Sequence, residues 1–269
     1  MVSKVINLGA NLKEIQIIPL GDFHIGDEFW DMEATLKTLE YIKNTPNCFT
    51  ILNGDMMNNA IKTSKSDSYK EKMTIEQEQD FLIELLKPIK NKILYMVQGN
   101  HEYRTSITSG IDPLRYVAKA LDLLDDGRYS DNSYVLNLRF GTNKNLKTLN
   151  NYIIYGIHGS GSGGKRMGAT VNALEDLTKI FPNADLYIHS HTHVPITYSD
   201  KYMNFNTSNH KLEESYRTFV NTNSFINYGG YAERFGYKLT DQTPLLVTIK
   251  FIRKQDKLEP FTNVLKLEI

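Results

Sequence analysis

Ile93-Leu94-Tyr95-Met96-Val97-Gln98-Gly99-Asn100-His101-Glu102 is an apolar run that breaks into three consecutive polar side chains. Five apolar residues followed by a glycine read as a buried strand opening into a loop. An amide and an imidazole have little structural purpose there, because both pack poorly and both need partners if buried. The arrangement recurs. Ile15 to Leu20 runs into Asp22-Phe23-His24, and Phe49 to Leu52 into Asn53-Gly54-Asp55. Tyr152 to Ile157 runs into His158, and Leu186 to Ile188 into His189-Ser190-His191-Thr192-His193. Open α/β sheets gather their sites at the carboxyl ends of strands, so the five runs are expected to converge on one cleft.

Any one of these histidines alone reads as an ordinary core or surface residue. Together they are six of the chain's seven, all but His210, and each follows a strand-like run. His and Asp clustered in this way form the pattern of a shared metal site.

Asp-x-His, Gly-Asp, Gly-Asn-His-Glu, a lone His and then His-x-His, in that order over residues 15 to 195, resemble the calcineurin-like metallophosphoesterases. The resemblance implies a β-sandwich of mixed sheets flanked by helices, an α/β fold with a dimetal site at the carboxyl ends of the strands. It implies that Asp22, His24 and His193 hold one metal, that Asn100, His158 and His191 hold the other, and that Asp55 bridges them. It makes His101 a histidine that binds no metal and stands beside the substrate phosphate.

Two departures from the family pattern matter. Ser190 stands where the family usually has glycine before His-x-His, so the local turn is expected to differ slightly. Three residues after the bridging Asp, some phosphatase branches carry an Asp that pairs with the catalytic His; here the position is Asn58. An amide orients an imidazole but does not stabilise imidazolium as a carboxylate does. The chain therefore looks less like the protein phosphatases and closest to the bacterial and phage DNA-repair exonuclease branch.

With 269 residues the chain can bury a large core, and a single metallophosphoesterase domain over 1–269 is expected. Lysine and arginine together number 31, as do aspartate and glutamate, so no global basic field drives nucleic-acid binding and any such contact is local. The one cysteine, Cys48, excludes an internal disulfide framework. With no apolar core in Met1 to Ala10 to act as a signal peptide, it points to a cytoplasmic location. No apolar run approaches the ~18 residues that span a membrane.

Asp31 caps an expected helix with apolar positions Met32, Leu36, Leu39 and Ile42 and with Pro46 beyond its end. Residues 56 to 73 are polar and emerge beside Asp55, as a substrate-shaping loop or a solvated connector. Thr74-x-x-Gln77 has the form of a capping box before Phe81, Leu82, Leu85 and Leu86, stopped by Pro88. Asp112-Pro113 opens another helix, whose apolar face is Leu114, Val117, Ala118, Leu121 and Leu124. Tyr134, Leu136, Leu138 and Phe140 alternate as a half-buried strand, and 141 to 151 reads as a hairpin turn into the His158 strand.

After His158, Gly159-Ser-Gly-Ser-Gly-Gly164 with Lys165 and Arg166 reads as a phosphate cradle, a lid or a linker. Val171, Leu174, Leu177 and Ile180 form a further amphipathic helix. Arg217 to Val220 is strand-like and leads to Phe225, Tyr228, Tyr231, Phe235 and Tyr237 with Arg234 among them. Buried core is the default reading of these aromatics; base stacking or a homodimer contact are the functional ones. Val247, Ile249 and Phe251, then Leu265, Leu267 and Ile269, read as antiparallel strands with Lys266 and Glu268 blunting an edge.

Two divalent ions ~3.5 to 4 Å apart share a hydroxide and offset charge on attacking and leaving groups, which is phosphoester hydrolysis. The N/O ligand set without thiolate suits manganese, iron, zinc or nickel, and affinity alone does not choose among them; the family resemblance implies manganese first. His101 would position the phosphate and protonate the departing oxygen. The leading expectation is a phosphodiesterase or nuclease acting on nucleic acid, possible contacts to DNA coming from Asn58, Arg104, Lys165 and Arg166. The rivals are a phosphomonoesterase or cyclic-nucleotide phosphodiesterase and, in another class, an inactive scaffold.

Overall fold

The computed structural model describes residues 1–62, 64, 69–142, 148–160, 166–207, 210–254 and 257–269. Two six-stranded mixed sheets pack face to face with helices on both outer faces. The first sheet is built on three parallel strands, β2 (Glu14–Leu20), β3 (Cys48–Asn53) and β4 (Ile93–Val97). These are buried on both faces, which is why they read as continuous apolar runs rather than alternating ones. β5 (Tyr129–Ser130) pairs with β4. On the other side β11 (Leu245–Lys254) pairs antiparallel with β2 and with β12 (Lys257–Lys266). The tail strands thus extend the sheet of the first ligand motifs, with β12 at its edge.

The second sheet runs β1 (Val2–Gly9), β6 (Ser133–Thr142), β7 (Leu149–Ile157), β8 (Leu186–His189), β10 (Lys211–Asn221) and β9 (Ile196–Asn206). Ile15, Ile17, Tyr95, Tyr134, Leu136, Ile154 and Val220 fill the space between the sheets. Each such buried side chain contributes ~1.5 to 3 kcal/mol. The expected hairpin is β6–β7; its turn residues 143–147 lie outside the described residues.

The helices that cover the first sheet join its parallel strands. α1 (Met32–Asn44) is capped by Asp31, whose carboxylate accepts from the Ala34 amide at 2.9 Å. Its buried residues are Thr35, Thr38, Leu39 and Ile42, while Met32 and Leu36 stay largely exposed. The apolar period therefore marks the buried face at Leu39 and Ile42 and misses it in the first turns. The threonines are buried because each hydroxyl bonds a carbonyl one turn back, Asp31 O at 2.8 Å and Ala34 O at 2.7 Å. α2 (Ile75–Leu86) carries the Thr74–Gln77 capping box. As expected, α2 ends just before Pro88, which sits at the start of a 3-10 helix, Lys87–Lys92, where its missing N–H costs nothing.

α3 (Asn100–Ser109) replaces the loop expected after Val97, because Gly99 caps a helix within two residues of the strand end. α4 (Pro113–Ala120) follows the Asp112 cap, and α5 (Met167–Ile180) packs on the second sheet through Leu174 and Leu177. α6 (Gly230–Arg234) is a short helix in the aromatic segment. Among the aromatics of that segment whose burial is described, Phe225 is core, edge-on to Phe23 at 4.7 Å, Tyr237 is half-buried, and Tyr228 and Phe235 are exposed, so the buried-core reading is corrected for these last two. Among the described residues no helix is long and apolar enough to cross a membrane.

Candidate metal centre

Five strand ends deliver the site. Asp22 and His24 follow β2, Asp55 follows β3, Asn100 follows β4, His158 follows β7, and His191 and His193 follow β8. Asp22, His24, Asp55, His191 and His193 all hold positive φ, between 52° and 66°. This left-handed region costs a residue with a Cβ of order 1–3 kcal/mol, and the strain persists where the surroundings over-determine it. Here the turns are fixed by backbone bonds between motifs: Asp22 N to Gly54 O at 3.0 Å, His24 N to Asp55 O at 3.0 Å and Ser190 N to His158 O at 2.9 Å.

The side chains fall into overlapping groups whose ligand atoms all lie within 4.8 Å of one another: Asp22, His24 and His193; Asp55, His158 and His191; and His24, Asp55 and His101. His24 Nε2 and His193 Nε2 approach to 3.2 Å, and His193 Nε2 lies 3.2 Å from Asp22 Oδ1. That carboxylate oxygen is buried and makes no hydrogen bond. His158 donates its Nδ1–H to Asn53 O at 2.8 Å, so its Nε2 lone pair meets two oxygens, Asn100 Oδ1 at 3.0 Å and Asp55 Oδ2 at 3.2 Å. Lone pairs converging from imidazole, carboxamide and carboxylate repel unless a cation lies among them. The donor set therefore fits divalent ions.

Without an ion, protons carry that charge. Burial works against ionising His158, yet the Asp55 carboxylate prevails and pushes it up to about 10. Burial likewise opposes ionisation of Asp22, but His193 beside it holds the carboxyl at about 2. His101 goes the other way: burial, helped by Arg104 and only partly offset by Asp55, pulls it down to about 4.

The sequence pattern missed what orients these groups. Glu102 is fully buried and accepts three backbone amides, Asp55 at 3.1 Å, Met57 at 3.0 Å and Gly99 at 3.0 Å. The Asp55 side chain in turn accepts the His101 amide at 2.8 Å. Gly99 permits this approach, since a Cβ there would stand 2.1 Å from Asp55 Oδ1. Ser190 does not merely alter a turn: its hydroxyl accepts from Asn53 Nδ2 at 2.7 Å and from Thr222 Oγ1 at 2.8 Å, tying the two sheets together behind the site. His189, the sixth clustered histidine, points away and bonds Asn221 Oδ1 at 2.7 Å.

The family model for calcineurin-like phosphoesterases matches residues 15–195, which include every candidate ligand. The chain belongs to that family. Membership supports metal-dependent phosphoester hydrolysis in general. A search of curated proteins finds no match. Among solved structures, Vacuolar Protein Sorting 29 of Cryptosporidium parvum is 12% identical with a TM-score of 0.40, over 94% of this chain and 99% of that one. A conserved protein of Streptococcus pneumoniae titled as a predicted phosphoesterase is 12% identical with a TM-score of 0.35, over 94% and 99%. Likeness this distant adds nothing to the family assignment.

The remaining sequence candidates of this calcineurin-like phosphoesterase are placed unequally. Asn58 orients His101 through its backbone carbonyl, 2.8 Å from Nδ1, rather than through its amide; the amide donates to Glu71 Oε1 at 2.6 Å and Asp27 Oδ2 at 3.3 Å. Arg104 lines the cleft, but its guanidinium already bonds the carbonyls of Asn58 and Asn59. It braces the His101 surroundings through Nε and Nη2 and keeps its positive charge. Arg166 is exposed outside the cavity wall, and Lys165 with most of the glycine run lies outside the described residues. The cavity itself encloses about 450 Å³. Its floor is the metal-ligand cluster with His101; its far wall is residues 226–242, beyond the family-matched region.

Proposed function

We propose that the whole chain, 1–269, is one catalytic unit, a two-metal phosphodiesterase. The observation that supports this reading is the position of Asp55, which belongs both to the group with His24 and to the group with His158 and His191. Asp22, His24 and His193 would hold one ion, Asn100, His158 and His191 the other, and Asp55 both. Bound divalent ions supply Lewis-acid polarisation of phosphoryl oxygens and an activated water. The oxygen and nitrogen donor set suits manganese, iron, zinc or nickel, and manganese is the first choice on the family resemblance. His101, with Nδ1 fixed on Asn58 O, presents Nε2 to the cleft beside Asp55, where it positions the phosphate; once the anionic phosphate beside it favours the imidazolium, Nε2 hands a proton to the departing oxygen.

Nucleic acid is the leading substrate class, engaged one nucleotide at a time at a single-stranded end. The rival is a small phosphodiester such as a cyclic nucleotide, favoured by the size of the cavity. Cys48 is buried in β3, and its thiol is pushed up to about 12 by burial, consistent with a structural thiol in a reducing, cytoplasmic setting. The test is a manganese-loaded activity panel of bis(p-nitrophenyl) phosphate, p-nitrophenyl phosphate, single-stranded DNA and double-stranded DNA. Diester turnover well above monoester turnover is expected, with single-stranded DNA cut faster than duplex. Monoester preference would move the assignment to a phosphomonoesterase, and metal binding without turnover to a scaffold.

A further inference from the structure

The wall at residues 226–242 is unlike the rest of the cleft. The floor is polar and ligand-rich, whereas this side presents Ile226, Tyr228, Tyr237 and Leu239. Tyr228 is 44% exposed and Leu239 70% exposed, so apolar side chains stand in water beside a group of metal ligands.

The segment is fastened rather than loose. Asn223 Nδ2 donates to Gln242 O at 2.8 Å and Gln242 Nε2 donates to Ile226 O, closing the segment at its base. Asn227 N bonds Phe29 O at 2.8 Å, and Asp31 N bonds Phe225 O at 2.7 Å. The Phe29 ring lies across Gly229 and Gly230 so closely that a Cβ on either would meet it at 2.3 and 2.5 Å. An apolar wall held this firmly is a preformed surface, and a cavity of about 450 Å³ matches a small-molecule site.

Charge narrows the occupant. The lining cations among the described residues are Arg104, which stands beside His101 rather than on this wall, and Lys238. A polyanionic backbone tracked along this wall would find almost nothing to neutralise it. One phosphate at the ligand cluster with a flat, weakly polar group attached fits both ends.

Resting on the phosphoesterase reading above, we propose that residues 226–242 form a nucleobase pocket, in which Tyr228 and Leu239 hold the base of a nucleotide whose phosphate lies at the metal-ligand cluster. The base stacks on Tyr228 and packs against Leu239, so recognition is tolerant of base identity and demands a planar aromatic group.

Calorimetric titration of the manganese-loaded protein with thymidine 5′-monophosphate and with methyl phosphate tests this without turnover. The nucleotide is expected to bind at least about tenfold more tightly than methyl phosphate, from one base stacked on an aromatic ring. Tyr228→Ala and Leu239→Ala, both at exposed positions that tolerate truncation, should each shrink that ratio to less than about threefold. Phe235→Ala, on the same segment but outside the cavity lining, should leave it as in wild type. Equal binding of the two ligands in wild type, or a full ratio in both pocket variants, overturns the pocket. Methyl phosphate binding and diester turnover without nucleotide preference would sink the pocket alone; failure of both ligands to bind would sink the phosphoesterase reading and the pocket with it.

Discussion

The Glu102 carboxylate accepts the backbone amide of Asp55 at 3.1 Å across 47 residues of chain, and it takes the amides of Met57 and Gly99 as well. One buried side chain therefore fixes the β3 and β4 turns against each other. Glu102→Gln replaces an acceptor oxygen with an amide donor that faces backbone N–H groups. Leaving such groups unpaired costs about 1–3 kcal/mol. The variant should melt several degrees lower and bind manganese more weakly, as read by thermal unfolding and metal titration. Unchanged metal affinity would show that Glu102 serves only the fold.

Asp55→Ala should lose both ions together. Its carboxylate stands between the two ligand groups, and without it two cations would face each other unscreened. Metal analysis of the purified variant decides this. Two tightly held ions would refute the bridging role; one would make Asp55 the ligand of a single ion.

His101→Ala should keep both metals and lose rate according to the leaving group. General-acid help is worth ~10²- to 10⁴-fold and is needed when the oxygen would otherwise depart as a basic alkoxide. At Nδ1 the His101 ring meets a carbonyl, Asn58 O, and not a carboxylate, so the loss on a nucleotide ester should sit near the lower end of that range. A nitrophenyl ester should suffer less. Equal losses on both esters at matched metal occupancy would make His101 a positioning residue.

Glu78 predicts a pH dependence of stability. Its carboxyl lies buried between Gly26 and the Asn59 amide, and burial, reinforced by Glu71 and Glu102, pushes it from 4.5 to about 9. Between those values the unfolded chain has released a proton that the folded chain keeps, so this group's contribution falls as pH rises. It is fully favourable below 4.5, lost progressively up to about 9, and flat above. Glu78→Gln keeps an oxygen for Asn59 and has no proton to lose. Urea unfolding should find variant and wild type alike at pH 4 and the variant more stable at pH 8. A constant difference across that range would show that Glu78 is ionised in the fold.

Local chemistry made much of the site readable from sequence. Asp22, His24, Asp55, Asn100, His158, His191 and His193 each follow an apolar run, and a strand end followed by polar ligand types needs no knowledge of distant residues. The Thr74–Gln77 box and the Asp112 cap were legible for the same reason, since each bonds the chain two or three residues away. The three-dimensional pairing decided the rest. Glu102 reads as an ordinary helix-start acid until Asp55 and Met57 are folded against it, and Arg104 reads as a free cation until the carbonyls of Asn58 and Asn59 take it. Thr35 and Thr38 turn the first part of α1 away from its apolar period because their hydroxyls are already satisfied within the helix. Residues 226–242 became the wall of the cleft through contacts such as Ser224 Oγ to Asp22 O at 3.1 Å, 202 residues apart. Periodicity and capping report short-range bonds; which distant groups meet is set by how the two sheets pack, and only the folded chain holds that information.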